Sequence, residues 1–67
     1  MLVNKIIAAN IRCFRKQKKL TQKELAERLG TTRQHISDIE RCKKNVSIAM
    51  LVKIAKKLQV EPYQLLK

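Results

Sequence analysis

With 67 residues, a formal net charge of +11 and 45% hydrophobic residues, the chain reads as one small folded unit, not a disordered tail, and its charge calls for a polyanionic partner. Only Phe14 and Tyr63 are aromatic, which argues against a stacking platform for single-stranded bases. No apolar run reaches the roughly 18 residues of a membrane span and MLVNKIIAANIR lacks a signal-peptide layout, so the expected location is the cytoplasm, without a membrane partner.

Periodicity predicts a first helix over about Asn4 to Lys18, with Ile7, Ile11 and Phe14 on one stripe and Lys5, Arg12, Lys16 and Lys19 elsewhere. Thr21 and Glu24 have the spacing of a capping box, so a second helix starts at about Gln22 and runs to Leu29. Leu25, Ala26 and Leu29 form its apolar face, and Gly30, the sole glycine, suits a left-handed exit. Thr31 and Thr32 offer caps for a third helix, about Arg33 to Arg41, whose large apolar residues are Ile36 and Ile39. A basic loop, Arg41-Cys42-Lys43-Lys44-Asn45, leads into a fourth helix over Ser47 to Leu58, with Ser47 as its cap. Ile48, Leu51, Ala55 and Leu58 make its stripe, with Ile54 alongside. Pro62 suits the first position of a fifth helix ending at Leu66, with Tyr63 and Leu66 expected to fold onto the body. No repeat, low-complexity tract or linker divides the chain, so one all-α domain over 1–67 is expected.

The third helix carries the functional signal. A helix of about ten residues with two large apolar groups gains little from burial, so its other face has a different use. In a DNA major groove Arg can pair with guanine O6 and N7, and Gln with adenine N6 and N7. Arg33 and Gln34, in the first turn where a recognition helix makes such contacts, are the expected base readers. His35 can face a thymine methyl or the backbone, or simply fill surface. Ser37 and Asp38 can reach base edges or phosphate; Asp38 can accept from a cytosine amine, orient Arg33, or only favour the helix dipole. Expected phosphate contacts are Gln22 and Thr32 at helix starts, Arg41, Lys43, Lys44 and Asn45 in the basic loop, and Ser47 at the next cap.

The segments IRCFRKQKKLTQKELAERLGTTRQHISDIER and NVSIAMLVKIAKKLQVEPYQLL resemble the Cro and phage-repressor (Xre-like) helix-turn-helix family. Leu20-Thr21-Gln22, Glu24-Leu25-Ala26, Ile36-Ser37, Ile39-Glu40-Arg41 and the stretch from Ser47 to Leu58 occupy its recurrent positions. The run ISDIERCKKNVSI also looks like the restriction-modification controller branch. The resemblance implies a compact five-helix, lambda-repressor-like fold, with the helix-turn-helix at helices 2 and 3, about residues 22–41. It also implies a pairing of Arg15 with Glu40. That pair is either buried, with loss of one partner costing about 3–5 kcal/mol, or a surface pair worth roughly 0–1 kcal/mol. Three positions depart from the family pattern: Cys42 and Gln59 stand where Gly is usual, and Val46 where Pro is frequent. A non-Gly residue at the left-handed turn of Cys42 costs about 1 kcal/mol.

Family members dimerise on pseudo-palindromic half-sites, so the resemblance implies a homodimer through helices 4 and 5. Met50, Val52, Val60 and Leu65 either form that surface or complete a small core. The implied function is sequence-specific binding of double-stranded DNA to regulate transcription. The alternative is a nonspecific basic nucleic-acid-binding protein, which explains the charge but does not require the capped pair with Arg33 and Gln34. A membrane-surface peptide would need one long apolar face. With one histidine, no nucleophile–base pairing and no phosphate loop, neither an enzyme nor a small-molecule ligand is expected. Cys13 and Cys42 fit no metal spacing, so no metal or cofactor is expected either.

Overall fold

A hydroxyl cap or a left-handed residue sets most of the helix ends in this chain. The computed structural model describes residues 2–67, with side chains from residue 4 onward. Four α-helices, α1 (Leu2–Gln17), α2 (Gln22–Leu29), α3 (Arg33–Glu40) and α4 (Ile48–Leu58), are followed by a 3-10 turn over Pro62–Leu65. Thr21 Oγ1 accepts from the Glu24 N–H at 3.0 Å while Glu24 Oε1 accepts from the Thr21 N–H at 2.8 Å, which closes the expected capping box. Thr32 and Ser47 cap α3 and α4 in the same way, accepting from the N–H groups of His35 and Met50, both at 3.1 Å. Ser47 thus lies just outside α4 and Arg41 just outside α3, each one residue from its expected place.

All four helices end in the same motif, in which the left-handed residue and its successor donate to carbonyls of the last turn. After α2, Gly30 (φ 71) donates to Glu27 and Thr31 to Ala26. After α3, Cys42 (φ 62) donates to Ile39 and Lys43 to Asp38. Gln59 (φ 61) does the same for α4 and Lys19 (φ 58) for α1, which is why α1 stops at Gln17, short of Lys18. The left-handed turn expected at Cys42 is therefore present, and Gln59, which also stands where Gly is frequent, makes the same turn.

Ile7, Ala8 and Ile11 of α1, Leu20, and the inner faces of α2, α3 and α4 close over one core, with Leu65 at its floor. Ile11, Leu25, Ile36, Ile39, Ile54, Leu58 and Leu65 are buried almost completely, each stabilising the fold by about 1.5–3 kcal/mol. Phe14 is half-buried against this cluster.

The C-terminal segment differs from expectation. Its last element is a four-residue 3-10 turn, not a fifth α-helix, because a segment this short cannot offset the nucleation of an α-helix. Residues three apart eclipse in a 3-10 turn, so Tyr63 and Leu66 share one side and Pro62 and Leu65 another. The core takes Leu65, while Tyr63 and Leu66 stay exposed, the reverse of the expected inward pair. Asn10 Nδ2 donates to the Leu65 carbonyl at 3.0 Å and ties the turn to α1. The stripe of α4 begins at Leu51; Ile48, at 81% exposure, extends past the core edge.

Candidate nucleic-acid interface

α3 buries Ile36, Ser37 and Ile39 and turns its remaining surface outward. Arg33 and Gln34 are exposed in its first turn, with His35 and Asp38 half-buried beside them. Gln34 Nε2 donates to Asp38 Oδ1 at 2.9 Å, so Asp38 holds Gln34 in place and not Arg33. His35 Nδ1 lies 3.0 Å from Thr31 Oγ1, tethering the ring to the inter-helix turn. Ser37 is 6% exposed, less open than Arg33 and Gln34.

The C-terminal end of α3 is fixed by charge. Arg15 Nε donates to Glu40 Oε2 at 2.7 Å and Nη2 to Oε1 at 3.2 Å, while Nη1 donates to the Leu20 carbonyl at 2.7 Å. With side chains only 10% and 4% exposed, this is the buried form of the expected pair. Gln22 Nε2 adds a fourth bond, to Glu40 Oε1 at 3.1 Å. The network therefore locks α1, the start of α2 and the end of α3 together, and no buried side-chain polar atom among the described residues lacks a partner. Periodicity gave no sign of the Gln22 bond, which joins residues 18 apart in sequence.

The expected phosphate contacts gather around this helix. Arg41, Lys43, Lys44 and Asn45 form an exposed loop directly after α3, leading to Ser47 at the start of α4. Asn4 Nδ2 donates to Asn45 Oδ1, and Cys42 Sγ lies 3.8 Å from the Asn4 carbonyl, so α1 braces the loop. The Oγ atoms of Thr32 and Ser47 are engaged as caps. A polar recess of about 260 Å³ lies between the helices, lined by Arg12, Arg15, Gln22, Glu40 and Arg41. Among the described residues the only salt bridge is Arg15–Glu40, and no group of side chains is placed to hold a metal. Most of the chain's positive charge is thus left uncompensated at its surface.

The apolar surface expected for a dimer is redistributed. Leu65 is in the core, Met50 and Val60 are half-buried against it, and only Val52 of the four expected residues is exposed. Ile48, Tyr63 and Leu66 join Val52 as exposed large apolar side chains. No helix of the described residues is long and apolar enough to cross a membrane.

Comparison with known proteins agrees with this geometry. A hypothetical transcription factor of Neisseria meningitidis is 39% identical over 91% of this chain, which spans 58% of that protein. The crystal structure of the Neisseria factor superposes with a TM-score of 0.93 at 37% identity, over 97% of this chain and 75% of the other. Control protein C.SmaI of Serratia marcescens is 36% identical over 98% of this chain and 79% of its own. The biofilm regulator SinR, crystallised in complex with DNA, has a TM-score of 0.84 at 37% identity, over 91% of this chain and 98% of the other. The family described as helix-turn-helix (HTH_3) matches residues 11–65. With the capped α2–α3 pair and the outward first turn of α3, this places the chain in the Xre/Cro-like helix-turn-helix family of DNA-binding transcriptional regulators.

Proposed function

We propose that the chain is a sequence-specific regulator of transcription that inserts α3 into the major groove of double-stranded DNA. The observation that carries this reading is the division of α3: Ile36 and Ile39 are buried while Arg33 and Gln34 stand exposed in its first turn. Arg33 reads guanine. Gln34 reads adenine, because its amide nitrogen carries two N–H groups and only one goes to Asp38. His35 and Asp38 border the same base pairs. Gln22, Thr32, Arg41, Lys43, Lys44, Asn45 and Ser47 grip the backbone around them, in part through the N–H groups of helix starts.

One such helix reads few base pairs, so the protein acts as a homodimer on a pseudo-palindromic operator, with reading helices roughly 34 Å apart. Exposed Ile48, Val52, Tyr63 and Leu66, on α4 and the following turn, supply the apolar surface for it. The similarity to a control protein supports a controller-type role, and the working compartment is the cytoplasm.

Selection of bound sequences from a random duplex pool tests the reading, followed by competition between the selected and scrambled duplexes over a salt series. Arg33→Ala is expected to relax specificity at one base pair, losing about 1–3 kcal/mol of discrimination. Lys43→Ala is expected to weaken both duplexes alike and flatten the salt dependence by about one unit of slope. Equal binding of both duplexes by the wild-type protein at every salt concentration would leave only the nonspecific reading. A purely monomeric species in analytical ultracentrifugation at high concentration would remove the dimer.

A further inference from the structure

We propose that Arg12, on α1 outside the helix-turn-helix, seats one backbone phosphate together with Arg41 and Gln22, over the buried Arg15–Glu40 pair. The inference rests on the DNA-binding reading above. The recess formed by these residues contains three guanidinium groups and one carboxylate, a formal charge of +3 − 1 = +2. The carboxylate is already committed: Glu40 Oε2 accepts from Arg15 Nε, and Oε1 accepts from both Arg15 Nη2 and Gln22 Nε2. Arg15 is likewise paired, giving three of its N–H groups to Glu40 and the Leu20 carbonyl.

What faces the recess with charge to spare is Arg12 on one side and Arg41 on the other, both exposed and neither in a salt bridge among the described residues. The monoanionic phosphodiester of a DNA backbone offers two oxygens that planar guanidinium forks match better than the point charges of lysines do. Gln22 is the first residue of α2, so its backbone N–H has no partner within the helix, and its amide keeps a second N–H beyond the one given to Glu40. Arg12 also borders the adjoining groove with Lys5 and Lys16 and without a nearby acid other than Glu40, which keeps the local potential positive. The seat lies where α1, the start of α2 and the exit of α3 meet. A phosphate held there therefore fixes the position of the reading helix as well as adding affinity.

The test is fluorescence anisotropy of wild type, Arg12→Gln and Arg12→Lys on the selected and the scrambled duplex over a salt series, with thermal melting to confirm folding. Arg12→Gln is expected to weaken both duplexes by the same factor, about tenfold at ~0.1 M salt, and to lower the slope of log K against log salt by about 0.9. Arg12→Lys is expected to keep the slope. A scan of the selected duplex with single methylphosphonate replacements should find one position where wild type loses affinity and Arg12→Gln loses no more. An unchanged slope in Arg12→Gln, or additive losses at every phosphate scanned, overturns the proposal. If wild type does not distinguish the two duplexes, the sequence-specific reading falls while slope and scan still decide the Arg12 contact; if it binds neither duplex, both fall.

Discussion

Helices α2 and α3 are each eight residues long, each starts at a threonine cap, and each ends in the same left-handed motif. They differ in what their outer faces do. On α2 the charged groups serve the helix itself: Glu24 closes the capping box, and Arg28 lies one turn on from it. On α3 the first turn is kept exposed, and the helix is held from its far end, where Glu40 enters the buried network with Arg15 and Gln22. A helix that must offer its polar face to a ligand is anchored at its ends and along a narrow seam. Beyond Gln22 at its start, α2 can spend its outer face on its own stability.

The largest expected effect separates these two modes of support. Glu40→Ala leaves the Arg15 guanidinium buried without its carboxylate and is expected to cost about 3–5 kcal/mol in chemical unfolding. Thr21→Ala, which opens the capping box of α2, is expected to cost about 0.5–2 kcal/mol. If the Glu40 variant lost no more than about 1 kcal/mol, the pair would behave as a surface pair and the end-anchored account of α3 would fail.

How much of this was legible in the sequence depended on the range of the interaction. Caps and exits are local, so Thr21 with Glu24, Gly30 and the strained turn at Cys42 could be read from a few neighbouring residues. Arg15–Glu40 spans 25 residues and came from the family pattern. Ile48 obeyed the period of α4, yet period fixes only which residues share a stripe, not where the neighbouring helices end, and the core starts one turn later. Tyr63 and Leu66 fall on the outer side, against expectation, because the segment follows a three-residue period. Arg12 gave no local sign of its setting, since the recess beside it is built from three helices.

The two exits give a smaller and opposite pair of effects. Gly30 adopts φ 71 with nothing within 4 Å of the position a Cβ would take, so Gly30→Ala carries a conformational cost alone, about 1 kcal/mol. Cys42 adopts φ 62 with a side chain already present, and Cys42→Gly is expected to stabilise the fold by up to about 1 kcal/mol. Thermal melting of both variants checks the pair. A destabilised Cys42→Gly protein would mean that the contact of its sulfur with the Asn4 carbonyl outweighs the backbone strain.

The smallest effect concerns how the two helices start. The Thr21 backbone N–H, and then the Thr21 hydroxyl, hold the Glu24 carboxyl below its ordinary pKa, with Arg28 adding to the shift. A group whose pKa is lowered by folding contributes stability that is present above its unfolded value and is lost as pH falls through its folded value. That loss begins below about pH 4.3 and is small, because the carboxylate is exposed and solvent screens it. Glu24→Gln keeps a capping amide but removes the charge, so the stability gap between it and wild type should be widest near neutrality and close on acidification. The equivalent position after Thr32 is His35, so α3 has no carboxylate in its cap to lose. Amide hydrogen exchange followed from neutral pH into acid should therefore show, after correction for intrinsic rates, the first turn of α2 loosening before that of α3. Equal loosening of the two would show that the capping carboxylate contributes nothing specific to α2.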